Sequence, residues 1–260
     1  MGSAQAQAQV WGVQARNWAD LMEGMSIPIY HVVLDKTNVG RGTRLLDIGC
    51  GTGIAAQLAA NLGADVKGLD ASEAELVIAR ERVPGGDFIC GEMEELPYRD
   101  ASFDVVTGFS SFQFAQDPLN ALREARRVAM PGGYVAMVAW GRREDCEFAA
   151  TLNAVMACLP PPPPGAKGTF ALSEPGKMEA LMEQAGLTVY THGDVSCPFT
   201  YPDDETAWKT ISSSGPLVAA VRAAGEETIK QAVLASLVPF KTRGGGYRQE
   251  NLFHYVIATA

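Results

Sequence analysis

The sequence predicts an α/β domain built on a seven-stranded, mostly parallel sheet with helices on both faces. Strand and helix patterns alternate five times within about a hundred residues, the signature of a parallel sheet. An apolar strand ending in an acid, Leu45-Leu46-Asp47-Ile48, runs at once into glycines on alternate positions, Gly49, Gly51 and Gly53. At 260 residues, with 47% hydrophobic and 20% charged residues, the chain can form one full α/β domain with added helices.

The elements follow in order. After Val10, apolar residues recur at three- and four-residue spacing (Trp11, Ala15, Trp18, Leu21, Met22), which predicts a helix. A second short apolar segment, Ile27 to Val39, reads as helical beyond Pro28. Arg44 to Ile48 is the first buried strand, and Ile54 to Leu62 a helix closed by Gly63. Val66 to Leu69 is the second strand, ending in Asp70; Ser72 and Glu75 form an S-x-x-E capping box for a helix to about Val83. Asp87 to Cys90 and Phe103 to Thr107 are the third and fourth strands. Asp117-Pro118 caps a helix to Met130, Pro131-Gly132-Gly133 stops it, and Tyr134 to Trp140 is the fifth strand.

The second half is less regular. Glu144 to Leu159 reads as a helix, and Pro160 to Pro164 as a stiff extended spacer. Glu174 to Ala185 is helical, and Leu187 to His192 is the sixth strand. Three helices, Glu205 to Ser213, Leu217 to Ala224 and Glu226 to Val238, precede a triple glycine at 244–246 and a last strand, Asn251 to Thr259.

Bulk properties exclude several classes. A net charge of -9 and a pI of about 4.9 oppose nucleic acid as a partner. No apolar run is long enough to span a bilayer, and Met1 to Val10 lacks the basic start and apolar core of a signal peptide. Five widely spaced cysteines without a C-x-x-C, and three scattered histidines, indicate neither a disulfide framework nor a protein-held metal. The expectation is a cytoplasmic, soluble and reduced protein, monomeric or homodimeric.

In an open parallel sheet the glycine loop lies at the carboxyl end of the first strand, where ligands bind. The loop departs from the dinucleotide fingerprint G-x-G-x-x-G, because Gly53 comes one residue early and Ile54 takes the place of the last glycine. Asp47 is a poor neighbour for a pyrophosphate and a good one for a cation. Asp70, 17 residues after Gly53, is placed to accept hydrogen bonds from ribose hydroxyls, with Ala71 beside it.

The run Leu-Leu-Asp-Ile-Gly-Cys-Gly-Thr-Gly at 45–53 closely resembles the cofactor loop of class I S-adenosylmethionine-dependent methyltransferases. Gly91-Glu92-Met93-Glu94-Glu95-Leu96-Pro97-Tyr98, followed by Ser102-Phe103-Asp104-Val105-Val106, resembles a stretch of the ubiquinone/menaquinone-biosynthesis-like branch (methyltransferase type 11). Arg123 to Val128 and Pro131-Gly132-Gly133 match the same branch, and the resemblance covers roughly residues 10–141. It implies a Rossmann-like fold, S-adenosylmethionine as cofactor and S-adenosylhomocysteine as product. It also implies an adenine contact by Glu92 and Met93, and an amino-terminal helical lid over residues 10–43. The methyltransferase domain then runs over 44–260, with a helical cap inserted at about 203–243.

Candidate cofactor residues are Asp47, Gly49, Cys50, Gly51, Asp70, Ala71, Glu92, Met93, Phe109, Gln113 and Trp18. Cys50 enters as a small filler of the loop rather than a nucleophile, and Phe109 through its backbone. Tyr30, His31, Ser110 and Trp140 are candidates for the substrate pocket; either Tyr30 or His31 could be a general base, His31 being the catalytic candidate, although a lone histidine is more often structural. Phe112 and Phe114 divide between core and pocket. Glu94 and Glu95 read as a solvated face, Arg142 and Arg143 as a substrate mouth or solvated charges, and His192 and His254 as packing residues. The stretch Gly108-Phe109-Ser110 lacks both the Asn/Asp-Pro-Pro-aromatic motif of nucleic-acid amino methyltransferases and the metal-binding acid of catechol-type enzymes. The resemblance therefore implies in-line methyl transfer to oxygen, carbon or nitrogen of a small apolar or aromatic metabolite. The alternatives are the same fold reused as a cyclase or cofactor-binding protein, and a nicotinamide-dependent oxidoreductase.

Overall fold

The five alternations and the two late strands assemble into one sheet in the computed structural model, which describes residues 2–161 and 168–260. Its strands are β1 (Arg44–Ile48), β2 (Asp65–Asp70), β3 (Asp87–Cys90), β4 (Phe103–Phe109), β5 (Ala129–Trp140), β6 (Thr188–Ser196) and β9 (Leu252–Thr259). A separate ribbon pairs β7 (Phe199–Tyr201) with β8 (Tyr247–Gln249). The order across the sheet is β3-β2-β1-β4-β5-β9-β6, and β9 runs antiparallel to both neighbours. The order reverses between β1 and β4, which makes their carboxyl ends the topological switch point where open α/β sheets bind ligands.

Residue alternation assigns the two faces. Leu46 and Ile48 of β1, Val106 of β4, and Val135, Met137 and Ala139 of β5 pack under Ala121, Leu122 and Ala125 of the helix Pro118–Val128. Leu45, Val105, Val138 and Trp140 point the other way, beneath the helices that form the cavity. Asp47 shares the face of Leu45, so the period of two carries a carboxylate into the interior at the switch point.

Local chemistry sets the element ends. Asp117 accepts the N–H groups of Leu119 at 3.0 Å and Asn120 at 3.3 Å, and Pro118 follows as the first helical residue. Asp203 caps the helix Asp204–Ser212 through Thr206 N–H at 2.7 Å. The expected capping box at Ser72 is only half formed. Ser72 Oγ accepts Glu75 N–H at 3.4 Å, but Ser72 N–H donates to Asp70 Oδ1 at 2.8 Å, leaving the Glu75 side chain free to enter the interior.

Several expected boundaries shift. The first helix begins at Ala4, not after Val10: Ala4–Trp11 is tied by Ala4 N–H to Glu92 Oε2 at 2.9 Å, a tertiary bond that helps hold a helix too short to persist alone. Residues 12–26 are not one regular helix; a π-helical turn at Trp18–Met22 is flanked by tighter turns. Pro131-Gly132-Gly133 lies as a bulge inside β5 rather than before it, where β4 and β5 change register between the pairs Phe103–Ala129 and Val105–Tyr134. The helices expected at Glu144 to Leu159 and Glu174 to Ala185 shorten to Phe148–Met156 and Lys177–Gln184. Of the proline run, residues 162–164 lie outside the described residues. Among the described residues no helix is long and apolar enough to cross a membrane.

Candidate functional site

The carboxyl ends of β1, β2 and β4 open into a cavity of about 1360 Å³, mouth included. The glycine loop forms its floor. Gly49 N–H and Cys50 N–H donate to Leu69 O at 2.7 and 3.1 Å, and Gly51 N–H donates to Asp70 Oδ2 at 2.8 Å. Gly49 has φ +68°, and a side chain there would collide with Ser111 Cβ, so glycine is required by both conformation and space. A Cβ on Gly51 (φ +53°) would meet only Glu75 Oε1, at 3.8 Å, and so the loop backbone faces the cavity there.

The wall is acidic. Glu23, Asp47, Asp70, Glu75 and Glu92 line it, and among the described lining residues there is no lysine, arginine or histidine. Burial pushes the Asp47 carboxyl up to about 7, against the opposing hydrogen bond from Thr107 Oγ1 at 2.8 Å. Burial raises Asp70 as well, despite the N–H donors of Ser72 and Gly51, and raises Glu75 well above the carboxylate range with help from Asp70 and Glu23. Glu23, 3% exposed, is raised by burial although Arg82 pairs with it and Thr52 Oγ1 donates to it at 2.7 Å. A buried surplus of carboxylates is costly unless a cation joins it.

Aromatic and apolar groups complete the enclosure. Trp11 meets Trp18 edge-on at 5.1 Å and Phe114 at 5.5 Å, forming the amino-terminal wall. On the far side, Trp140 stacks on Phe148 at 5.5 Å and packs against Phe253 at 4.7 Å, beside Leu152, Phe199 and Leu217. Tyr30 meets Phe109 edge-on at 4.7 Å, and burial followed by the charges of Glu23 and Asp47 pushes its hydroxyl far up, so it stays protonated. Gln113 is 3% exposed, and neither amide atom has a partner among the described residues. Ser110, at φ +53°, takes a backbone conformation rare for a side-chain-bearing residue at the end of β4.

The structure gathers every sequence-derived candidate around this cavity except His31. His31 is exposed on the helix Ile27–Lys36, whose buried face carries Ile29, Tyr30, Val33 and Leu34, so helix geometry turns it away from the cavity. Phe112 is core and Phe114 is wall. Arg142 pairs with Asp145 at the surface and Arg143 lies 5.0 Å over Phe170; neither lines the cavity. Sequence reasoning missed Glu23, the cavity role of Glu75, and the wall made by Ser3, Ala4, Gln7 and Trp11. The only local signal for Glu75 was its capping position, and nothing around Glu23 marks it.

S-adenosylmethionine fits this donor set. Five carboxylates, of which Glu23 has Arg82 as a counter-charge from outside the lining, suit a ligand carrying a sulfonium and an amino group and repel a pyrophosphate. Asp70 retains acceptor capacity for ribose beyond its two backbone donors, and Glu92 holds Ala4 N–H at 2.9 Å and Glu94 N–H at 3.2 Å while still lining the cavity.

Comparison with known proteins agrees. A family model described as a methyltransferase domain matches residues 46–137. A demethylmenaquinone methyltransferase of Renibacterium salmoninarum is 39% identical over 102 residues, covering 39% of this chain and 43% of that protein. The methyltransferase GfsG of Streptomyces halstedii is 32% identical over 191 residues, covering 68% of this chain and 63% of that one. Both alignments thus span less than two thirds of the relative's length. The crystal structure of a SAM-dependent methyltransferase from Aquifex aeolicus superposes with a TM-score of 0.56 at 17% identity, covering 93% of this chain and 95% of that one, a likeness of fold. Residues 46–137 thus form a class I S-adenosylmethionine-dependent methyltransferase domain, similar to those of the ubiquinone and menaquinone biosynthesis methyltransferases.

Proposed function

We propose that the protein transfers a methyl group from S-adenosylmethionine to a small apolar or aromatic metabolite. The observation that carries this reading is the division of one cavity into an acidic half at the glycine loop and an aromatic half around Trp140. The cofactor, when bound, supplies an electrophilic methyl on a sulfonium. Asp47, Glu75 and Glu23 hold the positive charge in place, Asp70 takes the ribose, and Glu92 with Met93 takes the adenine. Trp140, Phe148, Phe199 and Phe253 orient an apolar acceptor and exclude water, so alignment supplies much of the acceleration. Tyr30 keeps its proton and serves as a donor rather than a base.

Supporting the same reading, the helices before β1 act as a lid and those between β7 and β8 as the acceptor cap. An acidic chain with free cysteines suits a cytoplasmic enzyme that does not engage nucleic acid.

The test is calorimetric titration with S-adenosylhomocysteine, with NADH as competitor, followed by incubation with methyl-labelled cofactor and a panel of phenols, quinols and amines. One-site binding unaffected by NADH, and label in a product, support the proposal. Binding without transfer, together with a product of unchanged mass, moves the protein to the cyclase or binding role. Displacement by NADH sinks the cofactor reading.

A further inference from the structure

On the sheet face opposite the cavity, the fold joins residues that the sequence reads only as packing. His192 and Asp194 lie two apart on β6 and so share a face, and β9 sets His254 directly across from Asp194. The helix Lys177–Gln184 packs over them and contributes Glu179. His192 is exposed and His254 only partly covered, so neither is a core residue.

We propose that Glu179, His192 and His254 form a transition-metal site suited to Zn²⁺. A ligand atom from each lies within 4.8 Å of the others. Glu179 Oε1 is 3.4 Å from His192 Nδ1 and 3.3 Å from His254 Nε2. Those separations are long for charge-assisted hydrogen bonds, which run at about 2.7–2.9 Å. They match the edge of a tetrahedron of zinc ligands, about 3.3 Å when each bond is about 2.0–2.1 Å.

Two further observations point to a cation. Asp194 Oδ1 sits 2.7 Å from His254 Nδ1, fixing the ring with Nε2 toward Glu179, the outer-shell carboxylate arrangement that orients metal-bound histidines. Glu179 Oε2 is buried and without a hydrogen-bond partner among the described residues. Two imidazoles and one carboxylate suit zinc and not the oxygen-only shells of magnesium or calcium. The exposed side at His192 leaves the fourth position to water. Because β6 is the edge strand, the metal would clip strand, neighbour and covering helix together.

The experiment uses the full chain stripped with a chelator and then titrated with ZnCl₂ by calorimetry and with Co²⁺ by visible absorption. One equivalent should bind, give a tetrahedral cobalt spectrum and raise the melting temperature. His254→Ala and Glu179→Gln should abolish the spectrum and the thermal shift, and Asp194→Asn should weaken affinity about 10- to 100-fold. S-adenosylhomocysteine binding, unchanged in these variants, reports that they are folded and separates this site from the cofactor site. Absence of saturable binding, or binding of the same affinity in His254→Ala, overturns the proposal.

Discussion

Asp70 fastens the cofactor loop: its Oδ2 takes Gly51 N–H at 2.8 Å while Oδ1 takes Ser72 N–H at 2.8 Å, so one carboxylate fixes both the glycine turn and the start of the next helix. Asp70→Ala removes this clamp along with the proposed ribose acceptor. Hydrogen bonds to a charged group contribute about 1.5–3 kcal/mol each, so S-adenosylhomocysteine affinity should fall at least roughly 10- to 100-fold. Calorimetry decides it, and affinity within threefold of the parent contradicts the assignment.

Two glycines in the same loop should fail differently. Gly49→Ala drives a Cβ into Ser111 at a positive φ and should lower stability by about 2 kcal/mol or more, read by urea denaturation. Gly51→Ala meets open cavity, so its stability loss should be about 1–2 kcal/mol while cofactor binding is lost to obstruction. Equal losses of stability in the two variants would contradict the loop geometry.

The acidic wall makes binding pH-dependent. Asp47 titrates near 7 when folded and near about 3.9 when unfolded, so the folded state holds the extra proton between these values. Its contribution to apo stability therefore falls as pH rises from about 4 to 7, and the raised Glu23, Asp70 and Glu75 act in the same direction. The cationic cofactor prefers the ionised wall. Its affinity should rise with pH up to and through 7, with proton release on binding, and more steeply than that of S-adenosylhomocysteine, which lacks the sulfonium. Calorimetry in buffers of different ionisation enthalpy measures both; parallel pH profiles for the two ligands would remove the electrostatic argument. In Asp47→Asn the difference between the ligands should shrink.

Arg82 joins the amino-terminal helical segment to the sheet domain. It pairs with Glu23 and donates to Thr52 O at 3.1 Å and Ala19 O at 3.1 Å. Arg82→Ala strands a nearly fully buried carboxylate, at a cost of about 3–5 kcal/mol. Arg82→Met with Glu23→Gln should recover part of that. Denaturation of both variants tests this; a loss below about 1 kcal/mol in the single variant means the pair is not a fastener.

The sheet was legible because its signals are local: apolar runs, alternate glycines, and acids at strand ends such as Asp47 and Asp70. The place of Glu92 and Met93 on the cavity was legible for the same reason, since they lie in one contiguous stretch. Glu23 was not, since its role comes from Arg82 and Thr52, far away in the chain. The helix Ala4–Trp11 hid in an Ala/Gln run whose order depends on contacts with Glu92 and the helix Gly215–Ala224. Nothing in the residues around His31 distinguishes it from Tyr30, and only the 100° step between successive helical residues sends one inward and the other to solvent. The β7–β8 ribbon escaped because three-residue strands carry too few alternations to register.

That ribbon has a consequence for descent. Phe199 pairs with Gln249 and Tyr201 with Tyr247, so residues 202–246 leave and rejoin the body of the protein at one zipped stem. A segment closed on its own stem can be lengthened, trimmed or traded whole at little entropic cost to the rest of the chain. On the proposed function, new acceptor preferences would arise by swapping this cassette while the strands, the glycine turn and the acids of the cavity wall are inherited unchanged.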